Sequence, residues 1–135
     1  MTGSENGAQT SARKSGEFGE DVAERYLVSE GYTILERNFG TRYGEIDLIA
    51  EEKGVLVFVE VKARRSEEFG LPGDAVDRHK QRQISKMAVA YVCDNGIRDR
   101  DCRFDIVEIH LGEGKRVLSV NLFRDAFDLA HRPFV

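Results

Sequence analysis

The sequence lacks the features of exported and membrane-spanning proteins. Its two cysteines, Cys93 and Cys102, occur without an export signal, because the first fifteen residues are polar and small and contain no apolar core. This combination predicts free thiols in a reducing compartment. No stretch approaches the roughly 20 apolar residues that span a bilayer. We therefore expect a cytoplasmic protein without a membrane segment.

Zinc ligands and activated nucleophiles are also missing. The three histidines, His79, His110 and His131, are scattered without the spacing of a metal site. No serine or cysteine stands in a recognisable nucleophile motif. Zinc chemistry and covalent catalysis by serine or cysteine are therefore disfavoured.

Basic residues are fewer than acidic residues. The chain has 20 Lys and Arg against 24 Asp and Glu, a formal net charge of -4, and this total is unfavourable for binding phosphates. From Lys62 to Lys86, however, seven basic residues stand against four acidic ones. Such a run is either a solvated face or a nucleic-acid-binding surface, with Arg64, Arg65 and Lys80 as candidate contacts.

The 135 residues suffice for one domain with a hydrophobic core and are too few for two. We expect a disordered tail over residues 1–15 and a single domain over residues 16–135. The hydrophobic patterns predict, in chain order, a helix (Gly16–Glu30), a strand (Tyr32–Asn38), a loop (Phe39–Gly44), a hairpin of two central strands, a loop (Ser66–Asp74), a helix capped by Asp74 and ending near Asp94, two strands (Cys102–His110 and Arg116–Leu122) and a short helix (Asp125–His131).

The central hairpin carries charged residues within the most apolar part of the chain. A two-residue turn at Lys53-Gly54 would pair Ile49 with Phe58, and Asp47 with Glu60. Directly opposed side chains have Cβ atoms about 4.5–5.5 Å apart, so two carboxylates there repel unless a cation, such as a divalent metal ion, lies between them. A turn at Glu52-Lys53 would place Glu45 opposite Glu60 instead, and a three-residue turn would break the pair.

Lys62 follows Glu60 by two residues and therefore projects from the same face of the strand. Taken singly, these residues admit a simpler interpretation, in which Glu60 and Lys62 form a salt bridge and Asp47 caps a turn. Charged groups among β-branched neighbours are costly unless they are paired or bound to metal, so three on one face suggest a functional site.

Three further residues are candidates for the same site. Glu24 lies at the border of the apolar stripe of the first helix, where it is either a surface glutamate or faces a cleft. Lys80 lies within the apolar stripe of the second helix, so it either extends its ammonium group to water or reaches an anion. Arg42, beside Tyr43 in a glycine-flanked loop, is a candidate substrate contact.

These motifs resemble a known family. The segments Gly16-Glu17-Phe18-Gly19-Glu20, Gly44-Glu45-Ile46-Asp47-Leu48-Ile49 and Val59-Glu60-Val61-Lys62 resemble the YraN-like family of small bacterial proteins, within the PD-(D/E)XK nuclease superfamily, and are similar to archaeal Holliday-junction resolvases. The resemblance covers the chain from about Gly16 to its C-terminus. It implies an α/β fold with a restriction-endonuclease-like core, in which helices flank a central mixed sheet.

The resemblance also implies roles for individual residues. Asp47, Glu60 and the carbonyl of Val61 would bind Mg²⁺ or Mn²⁺, Lys62 would be the catalytic lysine, and Glu24 would complete the acidic site. Ile46-Asp47 replaces the Pro-Asp of the superfamily name, and the carboxylate that carries the chemistry is retained.

The implied function is a metal-dependent endonuclease acting on DNA, including branched or otherwise structured DNA. The rival hypothesis is a catalytically silent module that keeps the scaffold to bind nucleic acid or a protein partner, and the acidic net charge favours it. A homodimer is a third expectation, because resolvases cut two strands of a symmetric junction, but the sequence identifies no interface.

Overall fold

The structure is a computed structural model that describes the backbone of residues 7–65 and 77–127 and the side chains of residues 16–65 and 77–127. The elements in chain order are α1 (Gly7–Ser29), β1 (Thr33–Thr41), β2 (Gly44–Glu52), β3 (Val55–Arg65), α2 (Arg78–Asp94), β4 (Cys102–Leu111), a 3₁₀ turn (Glu113–Lys115) and β5 (Val117–Phe127). Within these ranges, neither helix is long and apolar enough to cross a membrane.

The five strands form one mixed sheet in the order β1-β2-β3-β4-β5. Strands β3 and β4 are parallel, and every other neighbouring pair is antiparallel. Helix α2 connects the two parallel strands, as a crossover between parallel neighbours requires. The result is an α/β fold in which a mixed sheet is flanked by two helices.

Each helix covers one face of the sheet and closes one hydrophobic cluster. On the α2 face, Ile84, Met87 and Tyr91 pack against the side chains of Ile49 and Phe58. The α1 face has its own cluster, whose buried members are Ala23, Leu27, Tyr32, Leu48, Ala50, Val57, Val59, Val107 and Ile109. Strands β2, β3 and β4 contribute to both clusters, which explains why their sequences are nearly continuous apolar runs.

The central hairpin has the register that the sequence predicted. Lys53 and Gly54 form the turn, and both have positive φ, 51° and 81°, as a type I′ turn requires. This turn sets Glu52 opposite Val55. The prediction for the centre of the hairpin, Ile49 opposite Phe58, is confirmed.

Helix α1 begins earlier than predicted. Its backbone is helical from Gly7, whereas the sequence predicted a disordered tail up to residue 15 and a helix only from Gly16. Extension of an existing helix adds one hydrogen bond for each residue that is ordered, so residues with fair helix propensity, such as Ala8 and Ala12, can continue it. Residues 1–6 lie outside the described residues.

The end of β1 and the start of α2 also differ from the prediction. Strand β1 continues to Thr41, which leaves only a turn where a loop over Phe39–Gly44 was predicted. Helix α2 begins at Arg78, where the carboxylate of Asp77 accepts the Lys80 backbone N–H, and the predicted cap, Asp74, lies outside the described residues.

The predicted helix Asp125–His131 is wrong for the residues that the structure describes. Strand β5 continues to Phe127, where its ring stacks on Phe104 of β4 with centroids 4.6 Å apart. The backbone N–H of Asp125 also donates to the buried carboxylate of Asp105 at 2.9 Å. These tertiary contacts favour the strand over the local helical pattern. Residues 128–131 lie outside the described residues.

A network of paired charges joins the strands at the end of the sheet near the Lys53-Gly54 turn. Glu52 accepts hydrogen bonds from the guanidinium groups of Arg124, at 2.8 and 3.0 Å, and of Arg103. Arg103 also donates to Asp105 at 2.9 Å, and the hydroxyl of Tyr32 donates to the same carboxylate at 2.6 Å. Each buried charge in this network therefore has partners, as stability requires.

This network should contribute stability that acid removes. Arg124, followed by Arg103, lowers the pKa of Glu52 from its usual value near 4.5 to about 2. A carboxyl group whose pKa falls on folding stabilises the protein above its unfolded pKa, and that contribution is lost as the pH falls from about 4.5 towards 2. Glu52→Gln should lower stability at pH 7 by about 1–3 kcal/mol and flatten the loss between these pH values.

Thermal unfolding followed by circular dichroism from pH 7 to pH 2 would test this. Glu113→Gln is the matched control, because Glu113 is exposed, and this variant should keep the wild-type profile. Equal pH profiles for Glu52→Gln and the wild type would show that the network contributes little.

Candidate active site

The acidic pair lies where β2 and β3 stop pairing. Leu48 and Val59 are the last residues paired in the ladder between these strands, and Asp47 and Glu60 are the next residue on each strand. Ile46 and Leu48 pack into opposite core clusters, so the regular alternation of side-chain faces along β2 is interrupted at Asp47. The carboxylate of Asp47 then accepts the backbone N–H of Val61 at 2.8 Å, in place of a strand partner.

The position of Asp47 is electrostatically unfavourable for a carboxylate. Burial, followed by the negative charge of Glu60, raises the pKa of Asp47 from its usual value near 3.8 to about 7. The Val61 N–H and the Lys80 ammonium oppose this shift, and Glu20 adds to it. The two carboxylates therefore interact electrostatically, although the ladder ends at Leu48 and Val59 and does not itself pair Asp47 with Glu60.

Among the described residues, Lys80 is the cationic partner of Glu60. The Glu60 side chain is 9% exposed, and the ammonium group of Lys80 on α2 lies 2.5 Å from its Oε2. Of the two interpretations of Lys80, the structure shows the one in which the side chain reaches an anion. Because the Lys80 side chain is still 42% exposed, it connects the buried carboxylate to the surface.

Lys62 lies beside this pair and is exposed. It follows Glu60 by two residues in β3, so both side chains project from the α2 face of the sheet. Within residues 16–65 and 77–127, no hydrogen bond or ion pair involves the Lys62 ammonium group, and the predicted salt bridge between Lys62 and Glu60 is replaced by Lys80–Glu60.

The glutamate of α1 that affects Asp47 is Glu20. Arg37 of β1 contacts three carboxylates of α1, those of Glu20 at 3.3 Å, Asp21 at 2.8 Å and Glu24 at 3.3 Å. Glu20 is the most buried of the three, with 12% of its side chain exposed, and its charge raises the pKa of Asp47. Glu24, which the sequence favoured, lies one helical turn further along and is 36% exposed.

A glycine explains why Glu20 approaches the site. A Cβ atom on Gly19 would lie 3.9 Å from both Ala63 Cβ and Val61 Cγ1, so α1 is in van der Waals contact with β3 at this point. A glycine inside a helix costs about 1 kcal/mol relative to alanine, and such a position commonly marks close packing. The Gly19-Glu20 pair was therefore the signal in the sequence that could have identified Glu20.

The two arginines that follow Lys62 differ in their surroundings. Arg64 is buried, and its Nε lies 3.1 Å from Glu108 Oε2, while His110 Nε2 lies 3.0 Å from the other oxygen of Glu108. This ion pair holds the guanidinium inside the protein and not at a surface where a phosphate could reach it. Arg65 is exposed, as is Arg42 in the turn between β1 and β2.

The donor atoms present fit a hard divalent ion better than zinc. Within residues 16–65 and 77–127, no three side chains of His, Cys, Asp and Glu are placed to hold a metal ion. Mg²⁺ commonly uses one or two carboxylates and keeps several waters, so Asp47 and Glu60 suffice, and a backbone carbonyl can add one more oxygen. The interaction that raises the pKa of Asp47 is one that a cation would relieve.

Fold and site together define a mixed α/β protein with an acidic pair at the end of its central hairpin. Residues 19–109 match the uncharacterised protein family UPF0102, and the chain belongs to that family.

This chain matches its relatives over nearly their whole length. A UPF0102 protein of Caldanaerobacter subterraneus subsp. tengcongensis is 49% identical over 83% of this chain and 93% of the relative. A UPF0102 protein of Symbiobacterium thermophilum is 47% identical over 86% of this chain and 98% of the relative. Among solved structures, SfsA of Pyrococcus furiosus in complex with Ca²⁺ has a TM-score of 0.38 and 13% identity, over 84% of this chain and 63% of that chain, and no inference rests on it.

The titration of Asp47 provides a direct test of the site. Glu60→Gln should lower the pKa of Asp47, because it removes a negative neighbour and leaves the Lys80 ammonium without its partner. Glu20→Gln should lower it less, and Glu24→Gln, the matched control, should leave it unchanged. The carboxyl ¹³C shift of Asp47, followed by NMR in the presence of a chelator, measures each value. A midpoint near 4 in the wild-type protein would contradict the burial of the pair.

The same shift predicts that Asp47 weakens the fold at neutral pH. A carboxyl group whose pKa rises on folding favours the native state only at low pH, and this contribution is lost as the pH rises from about 4 to 7. Asp47→Asn keeps an acceptor for the Val61 N–H and removes the charge, so it should unfold at a higher temperature than the wild type at pH 8. The two proteins should converge near pH 4, and thermal unfolding in chelator measures the difference.

Proposed function

We propose that this protein is a metal-dependent endonuclease that hydrolyses phosphodiester bonds in DNA on a PD-(D/E)XK core. The observation that carries the proposal is the position of the half-buried Asp47 and the buried Glu60, mutually repelling at the end of two central strands, with an exposed lysine two residues further on. A purely structural role would favour pairing both carboxylates with cations, as Glu52 is paired at the other end of the sheet.

Asp47, Glu60 and the carbonyl of Val61 are the groups that would hold Mg²⁺ or Mn²⁺. When bound, such an ion polarises the scissile phosphate and lowers the pKa of a bound water. The Val61 N–H fixes one oxygen of Asp47, which orients the carboxylate before any ion arrives. This pre-orientation supports a site designed to bind without rearrangement.

The lysines have separate roles in this proposal. Lys62 is exposed and has no partner among the described side chains, so its ammonium is available to position the attacking water or to neutralise charge on the phosphate. Lys80 holds Glu60 in the free protein and can contact the phosphate when Glu60 engages a cation. Glu20, in place of Glu24, supplies the carboxylate from α1.

The proposed DNA contacts are the exposed Arg42 and Arg65 together with Lys80. Arg64, paired with Glu108, instead supports the end of β3. A preference for branched or structured DNA, the pairing of two copies and a cytoplasmic location are parts of this proposal that rest on the resemblance described above and on the two free cysteines.

One observation favours the alternative of a catalytically silent module. The ammonium group of Lys80 already neutralises Glu60 at 2.5 Å, so the pair is partly compensated without any metal ion. The net charge of -4 also disfavours strong binding to DNA. In this alternative the scaffold binds a nucleic acid or a protein partner, and Lys62 has no chemical role.

Cleavage assays test the proposal. The purified protein should cut duplex or four-way-junction DNA in the presence of Mg²⁺ or Mn²⁺. Asp47→Asn, Glu60→Gln and Lys62→Gln should each reduce the rate by a factor on the order of 10²–10⁴, a range typical of lost general acid–base or electrostatic catalysis. Lys53→Gln and Glu113→Gln, which replace exposed residues outside the site, are matched controls and should keep full activity.

Calorimetry with Mn²⁺ separates the two functions. Binding that is lost in both Asp47→Asn and Glu60→Gln supports the nuclease. Cleavage that persists in either variant would falsify this site, and the absence of heat with the wild-type protein would favour the silent module.

A further inference from the structure

A second cationic feature lies beside the middle of α2, six residues after Lys80. Arg42 and Tyr43 form the turn between β1 and β2, and Lys86 approaches them from α2. The Arg42 guanidinium carbon and the Lys86 Nζ each lie 5.1 Å from the centroid of the Tyr43 ring. We call these three residues the Tyr43 cluster. Its two cations are held by one aromatic ring, an arrangement that stabilises each of them.

Packing and hydrogen bonds fix the position of the Tyr43 ring. The Tyr43 ring packs against the hydrophobic cluster on the α2 face, and its backbone N–H donates to Thr41 Oγ1 at 3.0 Å. Arg42 donates to the Tyr43 hydroxyl, also at 3.0 Å. Because one side of the ring is anchored in the core, the two cations have defined positions although their side chains are exposed.

The cluster carries uncompensated positive charge. Within residues 16–65 and 77–127, neither Arg42 nor Lys86 has an ion pair with a carboxylate, whereas Arg37, Arg103 and Arg124 each have at least one. In a chain with more acidic than basic residues, acidic partners were available. The two cations at Tyr43 therefore remain free to bind an external anion.

Two independent elements give the distance from the cluster to the acidic pair. Along the chain entering β2, Tyr43 precedes Asp47 by four residues, roughly 13 Å of extended strand. Along α2, Lys86 lies six residues after Lys80, about 9 Å of helix. A Cβ atom on Gly44 would lie 3.9 Å from Met87, so α2 does pass from the acidic pair to the turn.

This separation matches the repeat of a nucleic-acid strand. Phosphates of one strand rise about 3.4 Å per nucleotide and also wind around the axis, so roughly 9–13 Å through space corresponds to about two nucleotides. A guanidinium group binds phosphate oxygens in a bidentate manner, and an ammonium group beside it provides a second point charge. The geometry therefore suits a second phosphate on the same strand.

We propose that the Tyr43 cluster binds backbone phosphates of a DNA strand about two nucleotides from the phosphate held at Asp47 and Glu60. This inference rests on the proposed function for the identity of the polyanion. The cluster sets the position of the strand along α2 and contributes affinity without reading the bases, because phosphate contacts carry no sequence information.

The test measures DNA binding without cleavage. The parent protein carries Asp47→Asn, and fluorescence anisotropy with labelled duplex and four-way-junction DNA is recorded in chelator over a series of salt concentrations. Arg42→Gln with Lys86→Gln should weaken binding to all sequences alike. The slope of log K against log salt should fall by about 1.8, since each lost phosphate contact removes about 0.9.

The matched control is the double variant Arg98→Gln with Arg116→Gln, which makes the same change in net charge at exposed positions outside the cluster. It should keep the parent slope. Tyr43→Phe retains the ring and should bind nearly as the parent does, while Tyr43→Leu keeps both charges but removes their support and should bind more weakly. Thermal unfolding of each variant confirms that it is folded.

The outcomes separate this inference from the proposed nuclease. Equal salt slopes for the two double variants, or a parent protein that binds no DNA, would overturn the inference. Competition by poly-glutamate that equals competition by DNA would overturn it as well, because the cluster would then recognise acidic protein. Loss of binding in the cluster variants together with no cleavage by the wild type would support the inference and reject the nuclease.

Discussion

The two-residue turn between β2 and β3 determines the position of the acidic pair. Lys53 and Gly54 both have positive φ, which fixes a tight hairpin and sets Ile49 opposite Phe58. A shift of one residue would move the side chains of each strand into the opposite hydrophobic cluster, where their shapes would not fit. The hydrophobic core therefore enforces the same register that brings Asp47 beside Glu60.

The two ends of this hairpin use acidic residues in opposite ways. Near the turn, Glu52 is held by two arginines, and the pKa of its carboxyl group is lowered. At the open end, Asp47 is half-buried beside another carboxylate, and its pKa is raised to about 7. The first arrangement stabilises the fold, and the second is unfavourable until a cation or proton arrives. Such local instability is typical of functional sites and is offset elsewhere in the structure.

The sequence was sufficient for the features that depend on local pattern. Alternation and apolar runs predicted five strands along the chain, and the Lys53-Gly54 turn predicted the register of the central hairpin, because turn geometry sets the register. They did not predict which glutamate of α1 affects Asp47. Glu20 and Glu24 lie on the same side of the helix, and the choice depends on Gly19, which brings the helix against β3.

Features that depend on distant partners were missed for the same reason. The sequence predicted Arg64 as a surface contact, but Glu108, which comes from β4, buries it. A terminal helix was predicted from Asp125, but stacking of Phe127 on Phe104 and the bond from Asp125 to Asp105 continue the strand. In each case the outcome depends on a residue of another strand. The sequence pattern alone could not show which strands would be neighbours in the sheet.

The strand order has a mechanical consequence. Spatial order equals chain order, so the parallel ladder between β3 and β4 joins two halves that are otherwise built, in the described part of the chain, from antiparallel neighbours in sequence. The Tyr32–Asp105 and Glu52–Arg103 bonds cross that same boundary. These bonds, like the β3–β4 ladder, join the two halves of the sheet, and the cooperativity of unfolding between the two halves depends on them.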